Sequence, residues 1–151
     1  MTADLLLDID VIGTPRPKGS LRHVGNGRLV ESLKNSPDWR HAVVAAAFEQ
    51  IAGNLGGPDF DHWELRDGYP ELGPVTVTVE LRFARPKSRK TGEPASRSTG
   101  DVDKHARNLL DALQDSGLFK DDAQVVNLSI AKRYCGPSEV PGAHIVVCGA
   151  A

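Results

Sequence analysis

From Val75 to Phe83 the chain reads VTVTVELRF, an unbroken alternation that puts Val75, Val77, Val79, Leu81 and Phe83 on one face of a strand. Near the start, DLLLDIDVI over residues 4 to 12 predicts a second strand with Leu5, Leu7, Ile9 and Val11 inward. Residues 123 to 134 alternate as a third strand, with Val126, Leu128 and Ile130 inward, and Ala143 to Cys148 forms a final one after the turn GPSEVPG. Two segments switch to the helical period. One begins at Ser36, a residue suited to an N-cap, followed by Pro37 and Asp38 in the first turn; its apolar stripe is Trp39, Val43, Ala46, Ala47 and Ile51, with Gly53 as the stop. The other repeats Ala106, Leu109, Leu110 and Leu113 at i, i+3, i+4 and i+7 and ends at Gly117. Between the first strand and the first helix, Gly25-Asn26-Gly27 marks the tip of a hairpin. The pattern predicts an α+β domain, a mixed sheet of at least four main strands packed against two principal helices.

A chain of 151 residues holds one domain with a real core, so residues 1–151 are read as a single domain. Residues 54–74, rich in Gly, Pro and acids, are an irregular connection. With 40% hydrophobic and 25% charged residues the composition is that of a globular protein in water. No stretch has the length of a membrane span, and the early run Leu5 to Leu7 is cut by Asp8 and Asp10. Cys135 and Cys148 fit neither a metal-ligand spacing nor a disulfide scaffold. The expectation is a cytoplasmic protein with reduced thiols and no membrane partner.

A net charge of −2 conceals a strong asymmetry. Arg16, Lys18 and Arg22 fall in one basic stretch, which Arg28 and His23 extend. Arg85, Lys87, Arg89, Lys90 and Arg97 fall in a second, against the single acid Glu93. The second stretch has almost nothing apolar to bury, so residues 85–100 are expected to form a mobile basic loop. Binding a phosphate backbone needs such local cations rather than a basic average.

The acids concentrate elsewhere. GDVDKHARNLLDALQDSGLFKDDAQVV, residues 100 to 126, holds six aspartates, with Asp101 and Asp103 before the second helix and Asp121 and Asp122 after it. Helix caps and turns account for Asp at such places, and Asp115 reads as a solvated helix residue. A divalent-metal site accounts for them too. Asp103, Arg107 and Asp111 follow one helix face at i, i+4 and i+8. If the returning strand docks near the helix start, three or four carboxylates converge, and a hard cation such as Mg²⁺ then relieves their repulsion. Such a cation can activate water and steady an in-line phosphoryl displacement. An EF-hand is excluded, because Ala106 stands where that loop needs Gly, and neither a P-loop nor a G-x-S-x-G elbow is present.

These blocks resemble the signature of the RusA-type Holliday-junction resolvases, common in phages and prophages: Asp-x-Asp-Asn, a Lys four residues after the second Asp, then Asp-Ala-Leu, and finally Asp-Asp-x-Gln before Ile or Val. They read here as Asp101-Val102-Asp103, Asp111-Ala112-Leu113 and Asp121-Asp122-Ala123-Gln124-Val125. The opening GTPRPKGSLR and the Trp39 helix are similar to the family's as well. The resemblance implies a homodimeric endonuclease, dependent on Mg²⁺ with Mn²⁺ as a substitute and without an organic cofactor, that resolves four-way DNA junctions by paired incisions in recombination and repair. It places metal binding on Asp101, Asp103 and Asp122, with Asp111 and Asp121 in support. Two positions depart from the pattern: Lys104 stands at the family's Asn, and Arg107 at its Lys. A guanidinium keeps the positive charge and stays protonated, so phosphate contact survives the change and proton transfer does not. The rival readings are a junction-binding protein that does not cut and a metal-dependent nuclease for other branched DNA.

Overall fold

The computed structural model describes residues 4–19, 21–23, 29–31, 36–54 and 69–150, with side chains omitted at 21–23, 29–31, 36, 37 and 54. The hairpin tip Gly25-Asn26-Gly27, Arg28, the capping side chain of Ser36, the side chain of Arg22 and most of the connection 54–74 therefore lie outside the described residues. Strands β1 (Leu5–Ile12), β4 (Val75–Phe83), β5 (Val125–Tyr134) and β6 (Gly142–Gly149) form one sheet in the order β1-β6-β4-β5. β2 (Leu21–His23) and β3 (Leu29–Glu31) form a separate antiparallel pair. Helices α1 (Ser36–Asn54) and α2 (Val102–Asp115) complete the domain. The expected α+β architecture is present, and among the described residues no helix is long and apolar enough to cross a membrane.

Alternation explains the layering. β6 pairs antiparallel with both β1 and β4, placing Ile9 opposite Ile145 and Val79 opposite the same residue. Leu7, Ile9, Val11, Val77, Val79, Leu81, Ile145 and Val147 thus share the face that α1 and α2 cover, and all are buried. From α1 come Trp39, Val43, Ala47 and Ile51; from α2 come Leu109, Ala112 and Leu113. The other face is largely polar, as that of a sheet open to water on one side should be. Gly142 is required where β6 meets β1, since a Cβ there would lie 2.2 Å from the Val11 carbonyl oxygen and 2.6 Å from the Arg82 guanidinium.

β4 and β5 run parallel, Val75 beside Val125 and Phe83 beside Tyr134, and α2 is the crossover between them. That geometry fixes direction. α2 must start at the Phe83 end of the sheet and return the chain to the Val125 end. His105, in the second turn of α2, accordingly stacks edge-on against Phe83 with ring centroids 5.6 Å apart.

Two inward assignments change. Leu5 is 62% exposed, because a register shift between Leu5 and Leu7 turns Leu6 into the core in its place. On β5, Val126 is 63% and Leu128 37% exposed. A second irregularity makes Val126 the extra residue between the pairs Val75–Val125 and Thr76–Asn127. Leu128 lies beside Val77 on the helix-covered face, but β5 is the outermost strand and α2 leaves it uncovered. Only Ile130 of the three packs against the core.

Candidate active site

The start of α2 is held from three directions. From the N-terminal segment, the Lys18 amide donates to the Lys104 carbonyl (3.1 Å). Buried Asn108 donates through Nδ2 to the Arg16 carbonyl (2.9 Å) and accepts through Oδ1 from Arg40 Nε of α1 (2.8 Å). One turn further, the Lys18 ammonium pairs with Asp111 at 2.6 Å. From the sheet, Lys132 Nζ donates to the Gly100 carbonyl (2.8 Å) and to Thr99 Oγ1 (3.1 Å). From within the helix, His105 Nε2 donates to the Thr99 carbonyl. Gly100 is forced at this point: its φ is +81°, and a Cβ would lie 2.7 Å from Pro17 Cγ and 3.0 Å from His105 Nε2. His105 is fully buried, and burial, the largest influence on it, pulls its pKa below the usual histidine value; the ring is neutral at pH 7.

This scaffold ends at the N-cap position of α2, which is Asp101 rather than Asp103. Asp101 makes no side-chain cap hydrogen bond; its nearest cation is Lys104 at 3.7 Å. Asp103 lies in the first turn, exposed, with no hydrogen bond or ion pair among the described residues. Both carboxylates therefore keep oxygens available at one solvent-facing point, where the helix dipole favours negative charge. Arg107, exposed one turn along, also has no ion pair among the described residues, because Lys18 occupies Asp111. The Asp103–Arg107–Asp111 face forms as the spacing predicts.

The second acidic pair divides. Asp121 accepts from the Ala123 amide (2.8 Å) and forms a capping box with Gln124 in a short 3₁₀ turn, Asp122–Gln124. Asp122 is exposed, and its carboxylate has no described partner. Its amide donates to Gln114 Oε1 (3.1 Å), at the far end of α2. The expected convergence of Asp101, Asp103 and Asp122 within one chain is thus absent: β5 returns beside the helix, but its Lys132 end, not its Asp122 end, meets the helix start. Among the described residues no group of three His, Cys, Asp or Glu side chains is placed to hold a metal ion. Asp101 and Asp103 could hold one side of a cation; the third carboxylate is elsewhere.

The second basic stretch enters this end of the molecule as the link from β4 to α2. Lys87, Arg89, Lys90 and Arg97 are exposed. Arg85 is anchored, its guanidinium 4.5 Å from the centre of the Tyr134 ring and bonded to the Gly92 carbonyl at 3.2 Å. Arg16 and Lys18 flank the same helix, and the Arg22 side chain lies outside the described residues. Sequence reasoning missed His105, Asn108, Arg40 and Lys132. A signal existed for three of them: His105 and Asn108 are polar residues inside the buried arc of α2, and Lys132 continues the inward parity of Leu128 and Ile130.

The family model described as endodeoxyribonuclease RusA matches residues 61–147, more than half of the chain. The chain is also similar to the uncharacterized protein YqaN of Bacillus subtilis (strain 168), with 28% identity over 142 residues, 87% of this chain and 85% of the relative. With its paired aspartates at the mouth of a crossover helix and the family model spanning β4, that helix, β5 and most of β6, the chain belongs to the RusA family of endodeoxyribonucleases.

Proposed function

We propose that this protein is a Mg²⁺-dependent endonuclease that resolves four-way DNA junctions by paired, symmetric incisions as a homodimer. The observation that carries this reading is the start of α2, where Asp103 presents a carboxylate with no described partner and Asp101 one held only at 3.7 Å by Lys104, on a backbone braced by Lys132, His105 and Asn108. Carboxylates with no side-chain hydrogen bond of their own, yet rigidly placed, suit a hard cation with oxygen ligands. When bound, Mg²⁺ would supply a more acidic water and neutralise charge on the phosphate. The chain's own contribution is placement and electrostatics. Arg107, on the same face as Asp103, meets the scissile phosphate and stabilises charge that grows as phosphorus becomes five-coordinate. Arg16, Lys18, Lys87, Arg89, Lys90 and Arg97 grip the backbones of the arms.

The test is incubation with end-labelled four-way junction and with linear duplex of matching sequence, each with and without Mg²⁺. Symmetric nicks in the junction alone, only with metal, support the proposal. Equal cutting of flaps would favour a broader branched-DNA nuclease, and tight junction binding without cutting in Mg²⁺ or Mn²⁺ would favour a binding protein.

A further inference from the structure

We infer that a cavity beside the start of α2 receives one unstacked guanine base of the junction, read by Asp38 and Arg16. The inference rests on the nuclease reading of α2 and extends it to the sequence that is cut. The cavity, about 290 Å³, lies between the end of β1 and the first two turns of α1. The N-terminal segment lines it with Ile12, Thr14 and Arg16, and α1 lines it with Asp38, Trp39 and Ala42. Its volume is at the lower end of the range for ligand sites, about 300–1,000 Å³, which suits a single ring system. Gly13 keeps it open. Its φ of +141° favours glycine, its amide donates to the Pro141 carbonyl at 3.0 Å, and a Cβ there would sit 3.4 Å from the Trp39 ring.

The charges select the occupant. Arg16 and Asp38 line the same cavity, yet neither side chain makes an ion pair or hydrogen bond among the described residues. A carboxylate can only accept, and a guanidinium can only donate, best to two acceptors side by side. Guanine meets each of them with a pair: O6 and N7 as adjacent acceptors for Arg, and the N2 amino group with its neighbouring N1–H as adjacent donors for Asp. Adenine and cytosine lack two adjacent donors, and thymine lacks an amino group. Because N1–H faces the pairing partner in a duplex, the base must leave the stack to be read this way. Extrusion costs least where pairing is already interrupted, as at a branch point. Ile12, 59% exposed, and Ala42 then offer apolar surface in place of the lost stack. The cavity is also tied to the reaction centre through the chain. Pro17 follows Arg16 and packs on Gly100, where a Cβ would lie 2.7 Å from Pro17 Cγ, and Asp101 is the next residue. The Arg16 carbonyl is held by Asn108, beside Arg107. At about 3.4 Å of strand per nucleotide, a base in the cavity belongs close to the scissile phosphate. The five N–H donors of Arg16 leave it a phosphate contact as well.

The experiment varies one nucleotide at a time near the branch point of a four-way junction and reads affinity without metal and single-turnover cutting with Mg²⁺. At one position guanine should be preferred over the other bases by about tenfold. Inosine there removes the 2-amino group and 7-deazaguanine removes N7, and each should abolish most of that preference in the wild type. The variants should cross. Asp38→Ala should be indifferent to inosine yet still sense 7-deazaguanine, and Arg16→Ala should do the reverse. Changes in the DNA itself are common to all the proteins and cancel in these ratios. Ala42→Leu, which fills the cavity and keeps both charged groups, should lose the preference while its melting curve shows it folded. The pocket is overturned if the wild type prefers guanine nowhere, if both alanine variants keep the wild-type ratios, or if folded Ala42→Leu keeps the preference. Junction cutting that shows no base preference leaves the nuclease reading standing. A wild type that prefers guanine in affinity but cuts nothing in Mg²⁺ or Mn²⁺ would keep the pocket and overturn the nuclease reading.

Discussion

Asn108 ties three elements together, and its removal should be felt in both stability and DNA binding. The side chain is 1% exposed and bonds to the Arg40 guanidinium and to the Arg16 carbonyl. A bond to a charged group contributes about 1.5–3 kcal/mol and a neutral one about 0.5–1.5, so Asn108→Ala should cost about 2–4.5 kcal/mol. With an unfolding entropy of about 2.1 cal/mol/K per residue, about 0.3 kcal/mol/K for 151 residues, the melting temperature should fall by about 6–14 °C. Asn108→Asp separates the two bonds. It keeps an acceptor for Arg40 but sets a carboxylate against the Arg16 carbonyl, loosening the segment that carries Arg16 and Lys18. Calorimetry and junction titrations over a range of salt concentrations would measure both effects. The aspartate variant should bind more weakly, with a salt slope lower by about 0.9 for each phosphate no longer neutralised. If the alanine variant melts within a degree or two of wild type, Asn108 does not brace the helix; an unchanged slope in the aspartate variant would show that Lys18 alone holds the segment.

Arg107→Ala should lower the single-turnover cleavage rate about a hundredfold with junction affinity little changed, and Arg107→Lys should recover much of it; wild-type cutting by the alanine variant would remove Arg107 from the site. Neutralising Arg89 and Lys90 together should weaken binding to branched and linear DNA alike and flatten the salt dependence, whereas an unchanged slope would make residues 85–100 a mere connection. Glu139, gripped by Arg133 at 2.6 Å and by the Gly136 amide at 2.8 Å, has its pKa drawn down to about 2. A depressed carboxylate pKa gives stability that is complete above the ordinary value of 4.5 and lost as pH falls toward about 2. Melting temperatures of Glu139→Gln should therefore vary less than wild type across that window, and parallel curves would contradict the pairing.

The sequence made some of this legible and hid the rest for definite reasons. Strict alternation fixed the face of β4, because no irregularity interrupts the inward parity from Val75 to Phe83. The same rule failed at Leu5 and Val126, where single-residue register shifts leave no mark in the hydrophobic pattern. Leu128 was assigned to the correct face but not to the edge of the sheet, since strand order is set by pairing with distant segments. The exposed face of α2 was readable from spacing. Which end of α2 receives Asp122 was not, because it depends on β5 running parallel to β4, and a run of alternating residues does not reveal its direction. Asp111 and Asp121 needed coordinates to be recognised as an ion-pair partner of Lys18 and a cap.

The open face of the sheet bears on how the protein meets a polyanion. Among the described residues its acids outnumber its guanidiniums, Arg82 pairing with Asp10 and Arg133 with both Glu80 and Glu139, while Asp8 is hydrogen-bonded to His144. A surface of such pairs, acidic in sum, offers a phosphate backbone no attraction, and its field fades beyond a Debye length of about 8 Å at physiological salt. Arg107, Lys87, Arg89, Lys90 and Arg97, by contrast, make no ion pair among the described residues. These cations thus gather along the link from β4 to α2 and on α2 itself, like a plug with a single live face, which would orient diffusional encounter with DNA before the two surfaces touch. Much of the rotational search that ordinarily slows association is removed by this asymmetry.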